Sequence, residues 1–315
     1  MPDTKILVTG ACGQIGTLLS TTLQERYGFD NVIASDIRSS ATFSCIYEQL
    51  DVTDANKLFY LISKYQITQI YHLAAILSAK GEANPIFTWN INMNGLLNVL
   101  EAAKNYKLEK VFYPSTIAVF GNQTPRVGTP QWPNLTPETV YGISKVAGEN
   151  WCNYYFQKFD VDVRSLRYPG IISWDTLPGG GTTDYAVEIF HEAIKRQSYT
   201  SYIAEHTALP MMYMPDAIRA TLELMDTAKE NVKVRTSYNV GAMTFNPAEL
   251  SEEIKKHIPD FVIEYEPDFR QEIAASWPES INDTDARTDW GWKESYDLAD
   301  MCQDIIHNLT QNNNQ

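Results

Sequence analysis

The sequence predicts an α/β fold: a parallel sheet doubly wound by helices, followed by a smaller mixed α/β region. Three observations support this prediction. Short β-rich runs alternate with helical stretches through the first half of the 315 residues, which is the pattern of a parallel sheet with helices on both faces. The pattern changes after about residue 170. The composition, 44% hydrophobic and 20% charged, is that of a globular chain with a substantial core.

The first half alternates strand and helix in chain order. The opening run, residues 5–9, has the apolar character of a buried strand, and the helix after it places Ile15, Leu18, Leu19 and Leu23 on one face. A long helical pattern over 139–159 precedes a strand at 161–167. The remaining predicted elements of this half are strands at 31–36, 46–51, 69–74 and 110–115, with helices at 14–27, 54–64 and 85–106.

The second half is less regular. The run Pro178-Gly179-Gly180-Gly181 interrupts the chain, and helical stretches follow near 184–196, 215–228, 246–257 and 296–308. Gln311–Gln315 is a polar tail that we expect to fray. We predict a cofactor domain over 1–172, to which later segments return, and a mainly substrate-binding region over 173–315.

Composition excludes several classes of function. Lysine and arginine number 25 against 39 acidic residues, a net charge of −14, which argues against nucleic-acid and anionic membrane partners. The four cysteines show no CxxC pairing and the five histidines no ligand spacing, so neither a disulfide framework nor a metal site is expected. No apolar run reaches membrane-spanning length and no leader precedes the first strand, so the expected location is cytoplasmic.

The first strand and first helix are joined by Thr9-Gly10-Ala11-Cys12-Gly13-Gln14-Ile15-Gly16. A Rossmann turn needs glycines to turn tightly, to let a pyrophosphate approach the backbone and to pack the helix on the strand. The N–H groups at the helix N-terminus then face the phosphates. Gly10, Gly13 and Gly16, with Gln14 and Ile15, are therefore predicted to bind a dinucleotide.

The predicted dinucleotide is NAD. Asp36 ends the second strand, twenty residues after Gly16. A carboxylate at that place accepts hydrogen bonds from the adenosine ribose hydroxyls and repels a 2′-phosphate, which favours NAD over NADP. Arg38, two residues further on, could weaken that preference.

Glycines spaced by three and preceded by threonine resemble the extended branch of the short-chain dehydrogenase/reductase family. The resemblance places Asp51 and Val52 beside the adenine, and it matches Asn92 with a helix asparagine that is usually structural in the family. Turn capping and strand packing are the alternative roles for these positions. The further cofactor contacts that the resemblance implies are Ile37, Leu73, Ala74, Ala75, Tyr168, Pro169 and Ile171.

Tyr141-Gly142-Ile143-Ser144-Lys145 carries the predicted catalytic pair. Residues four apart on a helix share one face. A phenol with a pKa near 10 becomes a base at neutral pH only if its pKa is lowered, and a neighbouring ammonium favours the phenolate. Lys145 can also hydrogen-bond the nicotinamide ribose. An exposed tyrosine and a solvated lysine would be the ordinary alternative.

A third catalytic group is expected at the end of the fifth strand. The run from Pro114 to Gly121 resembles the family's segment that carries the catalytic hydroxyl. Counting back from Gly121 places Thr116 on that position, with Ser115 beside it. Such a hydroxyl can hydrogen-bond the substrate oxygen as charge develops. The sequence leaves the choice between Ser115 and Thr116 open, and either could instead cap the following loop.

Three segments resemble the short-chain L-threonine 3-dehydrogenases, a family built on the epimerase fold. They run from Leu73 to Glu82, from Pro178 to Ala186 and from Met211 to Asp216. The resemblance implies oxidation of the L-threonine 3-hydroxyl to 2-amino-3-oxobutanoate, with Tyr141 as the base. The expected substrate contacts are Ser78, Ser115, Tyr141, Gly180, Thr182, Thr183 and Trp277. Turn capping by Ser78, an ordinary flexible loop at the glycine run and a core role for Trp277 are the alternatives.

Two other functions stay open at this point. A nucleotide-sugar 4-epimerase or dehydratase would use the same catalytic residues with tightly held NAD, and Arg219, Arg235, Arg270 and Arg287 are available to a diphosphate. An NAD-sensing or scaffold protein would usually have lost Tyr141 or Lys145, and both are present.

The family resemblance also implies a homodimer. The helices predicted at 85–106 and 139–159 carry apolar residues beyond one face, among them Trp89 and Trp151. In the family these helices pair across a two-fold axis. Burial of both helices against their own sheet is the alternative.

Overall fold

The structure is a computed structural model that describes residues 4–175 and 181–312. A parallel seven-stranded sheet lies at its centre. The strand order is β10-β6-β5-β4-β1-β2-β3, and every neighbouring pair is parallel. The strands of the described residues are β1 Ile6–Thr9, β2 Val32–Asp36, β3 Ile46–Gln49, β4 Gln69–His72, β5 Lys110–Thr116, β6 Val163–Tyr168, β7 Gly170–Ile172, β8 Ser198–Ser201, β9 Leu209–Tyr213, β10 Tyr238–Asn239, β11 Met243–Phe245 and β12 Val262–Tyr265.

Helices cover both faces of this sheet, as the sequence predicts. The helices of the described residues are α1 Gln14–Tyr27, α2 Ala55–Tyr65, α3 Ser78–Gly81, α4 Pro85–Tyr106, α5 Val140–Phe159, α6 Tyr185–Arg196, α7 Met214–Asp226, α8 Pro247–Lys255, α9 Phe269–Ala275, α10 Thr284–Trp290 and α11 Leu298–Asn312. Side chains alternate across a strand, so Ile6 and Val8 of β1 pack with α1 and α7, whereas Leu7 packs with α2, α4 and α5. The doubly wound α/β prediction is confirmed.

The second half of the chain, together with residues 117–120, builds another hydrophobic cluster. It is centred on α6, α8 and α11, with Phe190, Leu250 and Ile305 fully buried. A three-stranded sheet, β11-β9-β7, and the parallel pair β12-β8 border this cluster. These strands have three to five residues each. The sequence did not predict them individually, because such short runs carry too little periodicity.

Segments of the second half return to the central sheet. β10 pairs in parallel with β6, and α7 packs against β5, β6 and α1. Arg164 on β6 donates to the carbonyl oxygens of Leu224 and Met225 at the end of α7, at 2.7 and 3.0 Å. The division into 1–172 and 173–315 stays a prediction.

Element boundaries differ from the predicted ones by a few residues. The last strand of the first half begins at Val163 rather than at residue 161, and α7 begins at Met214 because Pro215 suits the first turn of a helix. Of the tail predicted over 311–315, the first two residues continue α11, and residues 313–315 lie outside the described residues, as does the run 178–180. Among the described helices, none has the length and apolar character needed to cross a membrane.

Candidate active site

A cleft of about 340 Å³ opens at the carboxyl ends of the central strands. The chain order reverses at β1 and β4, since β2 and β3 lie to one side and β5 and β6 to the other. In open α/β sheets a ligand binds at this topological switch point. The predicted residues that line the cleft are Gly10, Gly13, Gln14, Ile15, Gly16, Leu73, Ala75, Ser78, Ser115, Thr116, Tyr141, Lys145, Tyr168, Pro169, Ile171, Thr182, Thr183 and Trp277.

The three glycines of the β1–α1 turn have distinct geometric roles. Gly10 adopts φ +71°, and a Cβ on it would lie 2.6 Å from the backbone nitrogen of Ala74. A Cβ on Gly16 would overlap the carbonyl oxygen of Gly10, so this glycine lets the helix pack closely on the strand. Gly13 meets only the Gly10 oxygen, at 3.3 Å, and therefore leaves the backbone open to the cleft.

The start of α1 is suited to a diphosphate. Gly13 is its N-cap and provides no side-chain hydrogen bond, and no acidic residue lies in the first turn. The side-chain amide nitrogen (Nε2) of Gln14 is also buried here and has no hydrogen-bond partner among the described residues. Free N–H donors at a helix N-terminus bind phosphate oxygens, so this turn fits the pyrophosphate of NAD.

Asp36 lies beside the glycine turn rather than in the lining of the cleft. Its carboxylate accepts hydrogen bonds from the backbone N–H groups of Cys12, at 3.1 Å, and Arg38, at 3.2 Å. The following residue, Ile37, is 64% exposed. A partly exposed carboxylate held by the turn is placed to meet a ribose that extends from the diphosphate.

Tyr141 and Lys145 lie one turn apart on α5. The helix begins where the Thr139 hydroxyl accepts the N–H of Gly142, at 3.0 Å. The Lys145 ammonium nitrogen donates to the carbonyl oxygen of Pro114 at 2.6 Å and lies 5.6 Å from the centre of the Tyr141 ring. The structure therefore brings the predicted pair together beside the end of β5.

Burial dominates the protonation of this pair. It raises the pKa of Tyr141 to about 12, against which a hydrogen bond from the Thr116 hydroxyl acts in the lowering direction. Burial also lowers the pKa of Lys145 to about 7, partly offset by Cys152 and Glu149. The sequence argument expected a lowered tyrosine pKa. In the cofactor-free chain the pKa of Tyr141 is raised instead, because the low dielectric disfavours the phenolate.

The two candidate hydroxyls at the end of β5 make different contacts. Ser115 is buried and donates its hydroxyl hydrogen to the Glu149 carboxylate at 2.6 Å. Thr116 lines the cleft, hydrogen-bonds Tyr141 and accepts the N–H of Ala118 at 3.2 Å. The sequence could not separate the two because Glu149 lies 34 residues away.

Residues expected to contact the substrate converge from three distant segments. The Ser78 and Thr182 hydroxyls lie 3.2 Å apart, although 104 residues separate them in the chain. Both are buried and line the cleft with Thr183 and Trp277. Gly180 lies outside the described residues.

Some predicted cofactor residues have other contacts and do not line the cleft. Asp51 accepts two bonds from Thr53, at 2.9 and 2.7 Å, which form a turn before α2. Asn92 bonds the backbone of Ile76 and the hydroxyl of Ser144, and so ties α4 to the segment after β4 and to α5. Val52 and Ala74 are likewise absent from the described lining.

Two charged residues in the cleft were missed by the sequence reasoning. Lys80 lies on α3, is exposed, and has no ion pair among the described residues. Asp184 lies at the start of α6, and its carboxylate accepts the N–H of Gly181 at 2.7 Å. No periodicity marks either position. The only sequence signal is that Lys80 and Asp184 lie inside the segments 73–82 and 178–186 that resemble the L-threonine 3-dehydrogenases.

The arginines considered for a diphosphate do not line this cleft. Arg219 pairs with Asp216 and Glu223, and Arg235 pairs with Asp162. Arg270 and Arg287 pair with the acidic residues Asp268, Asp283 and Glu294. Over the described residues there is also no group of three or more His, Cys, Asp or Glu that could hold a metal ion.

Similar solved structures include two L-threonine dehydrogenases. A GalE-like L-threonine dehydrogenase from Cupriavidus necator, in its holo form, is 53% identical, with a TM-score of 0.96 over 97% of this chain and 99% of that one. A monomeric L-threonine 3-dehydrogenase from a metagenome is 50% identical, with a TM-score of 0.96 over 98% of this chain and 99% of that one.

Sequence comparison extends the similarity to the epimerases and dehydratases. A Staphylococcus aureus relative described as an uncharacterized epimerase/dehydratase is 47% identical over 312 residues, 98% of this chain and 97% of the relative. The sequence profile of the NAD dependent epimerase/dehydratase family matches residues 6–241. The glycine turn, the switch-point cleft and these similarities agree that the cofactor is NAD and that the chain belongs to the NAD-dependent epimerase/dehydratase family.

Proposed function

We propose that this chain is an NAD-dependent dehydrogenase that oxidises L-threonine to 2-amino-3-oxobutanoate. The observation that carries the proposal is the full-length similarity, at 53% identity, to a solved L-threonine dehydrogenase. The cleft supports it, because Ser78, Thr182 and Thr183 meet beside Tyr141 in a space bounded by Trp277.

The proton of the substrate hydroxyl passes to Tyr141. Ser115 and Thr116 both line the cleft. We assign Thr116 as the hydroxyl that hydrogen-bonds the substrate oxygen, since it contacts Tyr141, whereas the Ser115 hydrogen is donated to Glu149. Bound NAD would supply the acceptor for the hydride that leaves the substrate Cβ. A charged Lys145, 5.6 Å from the Tyr141 ring, favours the phenolate that accepts this proton and supplies a donor for a ribose hydroxyl.

The turn and the strand ends would hold the cofactor. The backbone N–H groups of Gln14 and Ile15 would donate to the diphosphate, whereas that of Gly13 is donated to the Gly10 oxygen at 3.1 Å, and Asp36 would accept from the adenosine ribose. Tyr168 and Pro169, at the end of β6, border the nicotinamide side of the cleft beside Tyr141.

The polar lining suits a zwitterion. The α-carboxylate needs donors, which the Ser78 and Thr182 hydroxyls and the Lys80 ammonium provide. Asp184 places a carboxylate in the same lining for the α-ammonium. Opposite charges at one small cleft select an amino acid over a neutral alcohol.

The alternative of a nucleotide-sugar epimerase or dehydratase is favoured by one observation, the family to which the 47% identical relative is ascribed. A UDP-glucose 4-epimerase from Thermotoga maritima is only 20% identical, with a TM-score of 0.85 over 99% of this chain, and that similarity supports the fold alone. Arg219, Arg235 and Arg270 are already ion-paired with acidic residues, so they are poor candidates to bind the diphosphate of a sugar nucleotide.

The test mixes purified protein with NAD⁺ and L-threonine, with L-serine and a UDP-sugar in parallel, and follows NADH absorbance. We expect NADH from threonine. We also expect its loss in Tyr141→Phe with NAD binding retained, and full activity in Tyr60→Phe, which changes an exposed tyrosine. Sugar interconversion without net NADH would refute the proposal and establish the alternative.

We also propose a homodimer through α4 and α5. These helices pack side by side and leave Phe87, Trp89, Trp151 and Tyr154 between 37% and 54% exposed. Large aromatic patches of this kind mark protein interfaces. Light scattering should give about twice the 35.7 kDa chain mass, and Trp151→Glu should give a monomer. A monomeric parent, as in the metagenomic relative, would refute this.

A reducing, cytoplasmic setting fits the thiols. Cys12, Cys45, Cys152 and Cys302 are all free in the structure. Disulfides are rare in reducing compartments. Fractionation of the source cells should therefore place the protein with the cytosol.

A further inference from the structure

A buried carboxylate, Glu149, connects the strands that carry the active-site residues. One of its oxygens accepts the Ser115 hydroxyl at 2.6 Å and the Arg167 Nε–H at 2.9 Å. The other oxygen accepts from the Arg167 terminal nitrogen at 2.7 Å. Ser115 is the penultimate residue of β5, Glu149 lies on α5 and Arg167 lies near the end of β6, so one carboxylate joins three elements.

The arginine of this network is also fully engaged. The second terminal nitrogen of Arg167 donates to the carbonyl oxygen of Gln131 at 2.8 Å and to the side-chain oxygen of Asn239 at 3.1 Å. Arg167 and Glu149 are at most 2% exposed. A buried ion pair persists only when its remaining donors and acceptors are satisfied, and this pair meets that condition.

The network acts on the end of β5 next to the reacting groups. Lys145, one turn before Glu149 on α5, donates to the carbonyl oxygen of Pro114 at 2.6 Å. Pro114 and Ser115 are therefore both tied to α5, by residues four apart. Thr116 follows at once, and Tyr141 lies on the same helix. The separation of the Thr116 and Tyr141 hydroxyls depends on how β5 sits against α5.

The network also fixes β6 against β5. Ser115 and Arg167 are register partners on these parallel strands, as are Thr116 and Tyr168. Both members of the second pair line the cleft. The Glu149 carboxylate thus binds the pair Ser115 and Arg167, while the adjacent pair, Thr116 and Tyr168, lines the cleft.

We propose that Ser115, Glu149 and Arg167 form a positioning set, in which the Ser115–Glu149 hydrogen bond fixes the Thr116 hydroxyl against Tyr141. Ser115 then acts through Thr116 and does not touch the substrate. The reaction to which this applies is that of the proposed function, but the geometric argument is independent of which alcohol is oxidised.

Ser115→Ala is the informative variant. Removal of Glu149 or Arg167 would leave a buried charge unpaired and endanger folding, whereas Ser115→Ala leaves that ion pair intact. We expect kcat to fall about tenfold, because small misplacement of reacting groups costs one to two orders of magnitude. The KM for threonine and the Kd for NAD should not change, and Ser115→Thr should restore kcat.

A double variant separates positioning from independent action. Thr116→Ala should lower kcat further than Ser115→Ala does. If Ser115 works through Thr116, the double variant should be no slower than Thr116→Ala, since the second loss removes nothing more. Additive losses would overturn the proposal, as would a rise in the KM for threonine in Ser115→Ala.

Ser201→Ala is the matched control, because Ser201 is also buried and donates one hydrogen bond, to the carbonyl oxygen of Ile203 at 2.8 Å. Its kcat should equal that of the parent. An unchanged kcat in Ser115→Ala, corrected for the folded fraction, would also overturn the proposal. If the parent oxidises a different alcohol, the proposed function fails, and the same variants test the positioning set on that alcohol.

Discussion

Replacing Lys145 by methionine should make the chain more stable at neutral pH while abolishing turnover. Lys145 is 3% exposed, and its pKa in the folded chain is about 7, against about 10.5 for an exposed lysine. The folded state therefore binds fewer protons than the unfolded state between these pH values. Burial of Lys145 therefore lowers the free energy of unfolding. This penalty is largest below pH 7, shrinks as the pH rises and vanishes above about pH 10.5.

The magnitude follows from the two pKa values. A difference of one pKa unit corresponds to about 1.4 kcal/mol, so the penalty below pH 7 is about 5 kcal/mol. Lys145→Met also removes the 2.6 Å bond to the Pro114 oxygen and leaves a buried acceptor unpaired, which costs about 1–3 kcal/mol. The net gain is about 2 kcal/mol or more at pH 6. The unfolding entropy of a chain of this length gives about 1.5 °C of melting temperature per kcal/mol, so Tm should rise by about 3 °C or more.

The assay is thermal or denaturant unfolding of the cofactor-free chain from pH 6 to pH 10. The advantage of Lys145→Met should fall with pH and reverse near pH 10, where the remaining penalty is smaller than the cost of the lost bond to Pro114. Lys195→Met, an exposed lysine on α6, should show a small difference that does not vary with pH. A variant that is less stable than the parent at pH 6, by an amount constant to pH 10, would refute the reasoning.

Three other substitutions test the cofactor and substrate contacts. In Gly16→Ala the new Cβ overlaps the Gly10 oxygen, so a fluorescence titration should show NAD affinity reduced at least ~10-fold. Asp36→Ala should lower kcat/KM with NAD by about tenfold and raise it with NADP; an unchanged ratio contradicts the ribose contact. Lys80→Ala should raise the KM for threonine about tenfold with kcat nearly unchanged, whereas an unchanged KM would exclude its carboxylate contact.

The parts of the site that the sequence predicts are those whose chemistry is local. Gly10, Gly13 and Gly16 fall within one turn, and Tyr141 and Lys145 within one helical turn, so their spacing alone carries the geometry. The switch-point location follows from the alternation of strands and helices. For these features, the three-dimensional structure adds the distances between the residues, whereas the residues themselves can be identified from the sequence.

The parts that the sequence could not predict depend on contacts between distant segments. The choice between Ser115 and Thr116 rests on Glu149, which is buried in the middle of a helix and carries no motif of its own. Lys80 looks like any solvated lysine until α3 is placed at the rim of the cleft. The raised pKa of Tyr141 reflects its burial, which residue spacing does not report.

The two-residue strand β10 has a consequence for synthesis of the chain. It covers the edge of β6, yet it is translated about 70 residues after β6 ends. At about 5–20 residues per second, the edge stays open for roughly 4–14 s on the ribosome. An uncovered parallel strand is a template for intermolecular pairing. During that interval Arg167 also lacks its partner Asn239, and Arg164 lacks its partners at the end of α7. The nascent first half is therefore expected to be more prone to aggregation than the completed chain.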